Sequence, residues 1–239
     1  MNILIRSLTF EFCRILLTVI FSFIAILTFP FSAKNRYLII TQWSVCITFL
    51  AKHICGIDHQ VSGLENMPNH PCVILSKHQS AWETFAYQTI FPPQVWVLKK
   101  SLLFVPFFGW GLAMMNPIAI DRSSGPRALK QMLSQGKERI SKGWYIIVFP
   151  EGTRVPPGKN GTYQIGGAWL SAKLQTDIIP VAHNAGEFWP KNALLKKPGT
   201  IKVMIGQPIN TANRSPSDLI KQVEGWIEGQ MSCTIDEKI

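Results

Sequence analysis

The chain is poor in the residues on which several common protein classes depend. Its 239 residues include five cysteines, at positions 13, 46, 55, 72 and 233, an odd number with no CxxC pair. That argues against a disulfide framework or a dithiol redox centre and suits a reducing compartment. The stretch HICGIDH offers His53, Cys55 and His59, but a structural zinc site needs four ligands at a recognised spacing, and nothing completes this set. No metal and no other cofactor is expected. A GxSxG elbow is missing too, so no serine-based acyl-enzyme of that type is expected, and Cys72, inside an apolar run, reads as core. Acidic residues are scarce, 14 against 24 lysines and arginines, giving a formal net charge of +10. The basic residues are spread along the chain without interleaved base-stacking aromatics, so no nucleic-acid partner is expected. Internal repeats and low-complexity linkers are missing as well.

What the chain has in excess is apolar character. Hydrophobic residues make up 47% and charged residues only 16%, with a mean hydropathy of +0.15. Most of the surplus lies near the N-terminus, where Ile15 to Ala33 runs nineteen residues without a formal charge, close to the roughly 20 needed to cross a bilayer. A second uncharged run, Tyr37 to Ala51, has fifteen. Pro30 ends or kinks the first helix, and Lys34, Asn35 and Arg36 form a polar junction. The reading is a membrane-embedded helical hairpin over 1–57 that either spans or re-enters, followed by a domain over 58–239. A cleaved signal peptide fits less well, because Phe31 is bulky for the position before a Ser-Ala cleavage site. Charge alone does not orient the hairpin; beside it, the basic remainder suits anionic membrane lipids.

After the hairpin, short apolar runs alternate with helical patterns. Strands are predicted at Cys72–Ser76, Val95–Leu98, Ile118–Ile120, Tyr145–Phe149, Ile178–Ala182 and Ile201–Ile205, with an edge strand beginning at Val61. Helices are predicted at Ala81–Ile90, Pro126–Lys142, Gly166–Leu174 and Pro216–Gln230. This alternation implies an α/β fold with a mixed, largely parallel sheet flanked by helices.

The polar clusters recur where strands end, which is where open α/β sheets place their ligands. SKHQSAWETF, residues 76–85, leaves the strand CVILS with His78 and Glu83 five positions apart. A 3.6-residue period would set two such residues about 140° apart within one helix. They meet only if His78 lies in the loop entering the helix that carries Glu83. A histidine held by a carboxylate is a general base with a fixed tautomer. The same letters also spell a capping box, with Ser80 at the N-cap and Glu83 at N3; the two readings are compatible. FPEGTR, residues 149–154, supplies Glu151, Gly152 for a tight turn, Thr153 for a hydroxyl and Arg154 for bidentate anion binding. IDR at 120–122 adds Arg122 just before a helix N-terminus, itself favourable to phosphate. Two arginines at strand ends suit a phosphate monoester; each alone would read as a surface salt bridge. Of Lys99 and Lys100, one is expected to add charge and one to be solvated.

SKHQSAWET, the region ending in AIDR, VFPEGTR and IIPVAHNAG, in that order over residues 60–210, resemble the 1-acylglycerol-3-phosphate acyltransferases of the glycerolipid acyltransferase superfamily. The chain departs from the usual His-x4-Asp of the first block by placing Glu83 in the acidic position. The resemblance implies a membrane-bound enzyme, in a bacterium at the inner membrane with its site facing the cytoplasm. It implies acyl transfer from acyl-CoA or acyl-carrier protein to the free hydroxyl of lysophosphatidic acid, giving phosphatidic acid, with His78 and Glu83 catalytic. It further implies that Arg122, Arg154 and Lys100 bind the acceptor phosphate and that Glu151, Gly152 and Thr153 form a supporting loop; His183 reads as structural, because Ile179-Pro180-Val181 suggests a packed strand supporting the site. A sibling acyltransferase using another lysolipid, a membrane lipid hydrolase and a non-catalytic lipid binder are the alternatives.

Overall fold

The computed structural model describes residues 2–236; of Arg122 and residues 233–236 it describes the backbone alone. Helix α1 (Ile3–Leu27) starts from Asn2, whose side chain accepts the Leu4 amide. It stops before Pro30, and the chain turns back through Ser32, which caps α2 (Ala33–Ile40) by accepting the Asn35 amide. Helix α3 (Gln42–Leu50) continues after Thr41 and ends in a wide turn over Ala51–Cys55. Gly56, at φ 71°, closes that turn and lets strand β1 begin at once. The segments Ile3–Leu27 and Ala33–Cys55 are long and apolar enough to cross a membrane.

Apart from Phe10, which is buried against Trp189, α1 turns its small residues inward and its large apolar ones outward. Ser7, Ser22 and Ala25 face the protein, while Phe12, Ile15, Phe23 and Leu27 face outward. Small residues at a helix contact let backbones approach closely. The helix is nonetheless tied to the sheet domain by polar contacts. Ser7 Oγ accepts the Lys196 amide at 3.0 Å, and the buried Lys196 ammonium pairs with Glu11. Arg36, in the expected polar junction, donates to the carbonyls of Met114 and Phe31.

Seven strands follow: β1 (Ile57–Ser62), β2 (Val73–Ser76), β3 (Gln94–Lys99), β4 (Ile118–Ile120), β5 (Tyr145–Val148), β6 (Ile178–His183) and β7 (Gly199–Ile205). Their order is β1-β7-β6-β2-β5-β3-β4. All neighbours run parallel except β6 and β7. The expected edge strand therefore exists, but Val61 lies near its end, because Gly56 turns the chain directly into extended backbone. The sheet is flanked by α4 (Trp82–Ile90), α5 (Phe108–Met114), α6 (Pro126–Ser141), α7 (Gly166–Leu174), the short α8 (Ala185–Phe188) and α9 (Pro216–Asp236). Helix α5 was not foreseen: its sequence, FGWGLAM, holds two glycines and follows Pro106, so local propensity does not announce it.

The central strands are buried on both faces, as parallel strands under helices must be. Val73 and Leu75 of β2 join the core on the α6–α7–α9 side, while Ile74 joins the opposite core with Trp82, Phe85 and Tyr87 of α4. Each such side chain, fully removed from water, contributes roughly 1.5–3 kcal/mol. Strands β2, β3, β4 and β5 thus deliver their C-terminal ends, and the polar clusters that follow them, to one edge of a rigid sheet.

Candidate active site

The loop leaving β2 places His78 before α4, as a meeting with Glu83 requires. His78 Nδ1 lies 2.8 Å from Glu83 Oε1. The same oxygen accepts the amides of Gln79 and Ser80 at 2.9 and 2.8 Å, and Ser80 Oγ accepts the Trp82 amide at 3.0 Å. The pair and the helix start thus share one carboxylate. The helix begins one residue later than a Ser80 N-cap implies, at Trp82 after Ala81; Glu83 still accepts the Ser80 amide as a capping box requires, while Ser80 Oγ accepts the Trp82 amide in place of the Glu83 amide.

Glu83 is fully buried. Burial alone would push its carboxyl upward, but the His183 and His78 rings and the Ser80 amide outweigh it and hold the pKa below the usual glutamate value. An ionised carboxylate accepting from Nδ1–H leaves the His78 Nε2 lone pair as the free basic position. The imidazole lies flat on Phe149, with ring centroids 3.8 Å apart and planes 9° apart, and Phe149 stacks in turn on Trp96. An aromatic face under the ring favours the cation formed when His78 takes a proton. His183, expected to be structural, is buried; its Nε2–H donates to the Lys77 carbonyl at 2.9 Å and its Nδ1 accepts the Ala185 amide. Burial keeps its pKa below the usual histidine value, and the ring ties β6 to the β2–α4 loop.

FPEGTR leaves β5 beside β2 and grips His78 through the main chain. Glu151 Oε2 accepts the His78 amide at 2.8 Å, and the Val155 amide donates to the His78 carbonyl at 2.8 Å. Gly152 has φ 67°, and its amide closes the turn onto the Phe149 carbonyl. Thr153 is exposed and accepts from Lys191 Nζ at 3.1 Å; the same ammonium reaches the Arg154 carbonyl at 3.2 Å. Arg154 is half-buried, and among the described residues no carboxylate forms an ion pair with its guanidinium. Arg122 falls in the turn after β4, where Asp121 accepts the Ser123 amide and hydroxyl; its side chain lies outside the described residues. Lys100 is exposed, close enough to Asp121 to help lower that carboxyl's pKa.

A cavity of about 330 Å³ opens at His78. His78, Phe149 and Gly152 line it together with the apolar side chains of Trp43, Phe85, Trp96, Phe108, Leu112 and Met115. Two features of it, and one cation beside the FPEGTR loop, escape sequence reasoning. Lys99 lines the cavity, whereas Lys100 does not. Thr18, Phe21 and Ser22 of α1 close one side, so the N-terminal hairpin is part of the site's wall. Lys191 adds a cation at the FPEGTR loop, with no local motif to mark it.

A histidine base facing an apolar cavity, with Lys99 in its lining, fits what comparison with known proteins finds. Residues 58–184 match the model of the acyltransferase family. The chain is 45% identical over 206 residues to the 1-acyl-sn-glycerol-3-phosphate acyltransferase of Pseudomonas aeruginosa, covering 85% of this chain and 80% of that one. It is 31% identical over 209 residues to the enzyme of that name from Saccharomyces cerevisiae, covering 83% and 67%. The chain belongs to the 1-acylglycerol-3-phosphate acyltransferase family. It is accordingly an O-acyltransferase. The crystal structure of the 1-acyl-sn-glycerophosphate acyltransferase from Thermotoga maritima superposes with a TM-score of 0.79 over 96% of this chain and 94% of that one, at 21% identity, and has the same fold.

Proposed function

We propose that the protein transfers a fatty acyl chain from a thioester donor, acyl-CoA or acyl-carrier protein, to the free hydroxyl of 1-acylglycerol-3-phosphate, giving phosphatidic acid. The observation that carries this reading is the His78–Glu83 pair facing the apolar cavity. His78 Nε2 takes the proton of the acceptor hydroxyl as its oxygen attacks the thioester carbonyl. The carbon–sulfur bond then breaks, and the imidazolium returns the proton to the leaving thiolate, so the histidine ends as it began. Glu83 supports the imidazolium between the two steps. The acyl chain occupies the cavity between Trp43, Phe108 and Met115, out of water. Arg154, Arg122 and Lys100 bind the acceptor phosphate, and Glu151, Gly152 and Thr153 shape the loop that presents Arg154.

The purified protein, given labelled acyl-CoA and a panel of lysolipids, is expected to form phosphatidic acid from lysophosphatidic acid. Another diacyl product would move the acceptor, free fatty acid alone would make the protein a hydrolase, and no product would leave a lipid binder. In the same assay Arg154→Ala and Arg122→Ala should each raise the KM for the phosphomonoester acceptor by roughly tenfold or more, since a hydrogen bond to a charged group is worth about 1.5–3 kcal/mol. A change confined to the acyl-CoA dependence would place these guanidiniums at the donor instead.

The outward-facing apolar residues of α1 adjoin a second apolar segment. Phe23 of α1 meets Phe107, and Phe104, Val105 and Trp110 beside it are exposed. A contiguous surface of this kind suits a bilayer, which brings the cavity to its lipid substrates. Recovery of the full-length protein in the soluble fraction without detergent would count against this membrane placement.

A further inference from the structure

Lys77, next to the histidine, is the least expected side chain near the site. A lysine is almost never fully buried unless paired, yet this one is 1% exposed. Its ammonium lies 2.8 Å from Glu151 Oε1 and 2.7 Å from Glu228 Oε1 of α9. Tyr163 donates its hydroxyl to the same Glu228 oxygen at 2.7 Å, and its ring lies 5.9 Å from the ammonium. The remaining oxygen of Glu151 accepts the His78 amide. One chain of contacts therefore runs from α9 through Lys77 and Glu151 to the His78 peptide. Lys77, Glu151 and Glu228 are not among the described residues lining the cavity, so the chain acts from behind the histidine.

Two carboxylates and one ammonium leave this cluster an excess negative charge. Burial pushes the Glu151 carboxyl up, with Glu228 adding to that, while Lys77 and the His78 amide oppose it. The groups facing Glu151 are Lys77 and the His78 amide from the β2–α4 loop, Tyr163 ahead of α7, and Glu228 from α9; Glu224 acts on Tyr163. Lys77 is the only lysine or arginine among them. Without it a buried carboxylate beside a second one takes up a proton more readily, and a protonated Glu151 holds the His78 amide less firmly.

Resting on the acyl-transfer reading above, we propose that Lys77 is a positioning residue: shared between Glu151 and Glu228, it keeps the Glu151 carboxylate charged against the His78 amide and ties α9 to the catalytic histidine. Lys77 touches neither the cavity nor the reacting atoms, so its loss acts on turnover and leaves substrate affinity nearly intact.

Lys77→Met in the full-length protein should lower kcat by tenfold or more, the scale typical of groups that orient a ligating or reacting residue, with both KM values little changed. The acid limb of its kcat/KM profile should move to higher pH. Glu228→Gln leaves Lys77 to Glu151 alone and should lower kcat several-fold without that upward movement. Because Lys77→Met leaves two carboxylates facing each other and could fail to fold, Lys77→Met/Glu228→Met removes both charges; it should regain the melting temperature yet keep the low kcat and raised acid limb. Hydrogen–deuterium exchange at the His78 amide needs no substrate and should quicken in both variants lacking Lys77. A folded Lys77 variant with wild-type kcat, pH profile and amide exchange would overturn the proposal. A wild-type protein inactive on every lysolipid would overturn the acyl-transfer reading, while faster His78 exchange in the variants would still uphold the clamp.

Discussion

His78→Ala is expected to lower the rate of diacyl product formation by 10²–10⁴-fold, the usual cost of losing a general base, while leaving a folded protein. The expectation of folding rests on where the ring sits. Its side chain retains 15% exposure and forms the wall of a cavity, so removing it enlarges an existing space and opens no void in the core. The peptide itself remains held, because the bonds from Glu151 and Val155 engage the His78 main chain and survive the substitution. Glu83 keeps the Gln79 and Ser80 amides. What disappears is, among the described residues, the only imidazole that both lines the cavity and is backed by a carboxylate. Initial rates read beside melting temperature check this. A variant within about threefold of wild type would remove His78 from the mechanism, since that falls below the smallest contribution expected of a general base.

How much of this was legible in the sequence follows the distance over which each feature is encoded. Strand β4 and helix α7 have the boundaries expected, because an apolar run between turn residues defines each of them locally. The His78–Glu83 contact was legible for the same reason: a loop residue and a first-turn carboxylate five positions apart can meet in few ways. FPEGTR announced its turn through Gly152, a position whose φ suits glycine. The other half of the site is made by residues far apart in the chain. Lys77 and Glu228 are 151 residues apart, and each alone reads as a solvated charge. Ser7 and Ser22 look like polar interruptions of an apolar helix, yet Ser7 receives the Lys196 amide 189 residues away. Ser22 is a wall of the cavity beside Phe21. Hydropathy marks α1 as apolar but does not tell which face meets protein, and so it could not reveal that the hairpin completes the site.

Glu83→Gln separates the two duties of this carboxylate. Its Oε1 accepts three N–H groups, from His78, Gln79 and Ser80, and a glutamine carbonyl in that place can accept all three. Oε2 is buried and lacks a partner among the described residues, so the glutamine amide nitrogen would take up that position without breaking a bond. The helix start should therefore survive, as a capping box tolerates Gln at this position. The negative charge would not survive. With its pKa below the usual glutamate value, Glu83 is ionised at neutral pH, and its attraction for the imidazolium is greatest when His78 has taken the acceptor proton. Removing that charge should lower kcat by roughly 10–100-fold, by analogy with carboxylates that back histidine ligands in metal sites, at a melting temperature close to wild type. Glu83→Asp restores the residue usual in the family but shortens the reach by one methylene, so its rate should fall between the two. Ser80→Ala is the control for capping. It loses the bond to the Trp82 amide and should cost about 1 kcal/mol of stability with a smaller effect on turnover than Gln at position 83. Near-normal turnover in Glu83→Gln would reduce the carboxylate to a helix cap beside a histidine that works without it.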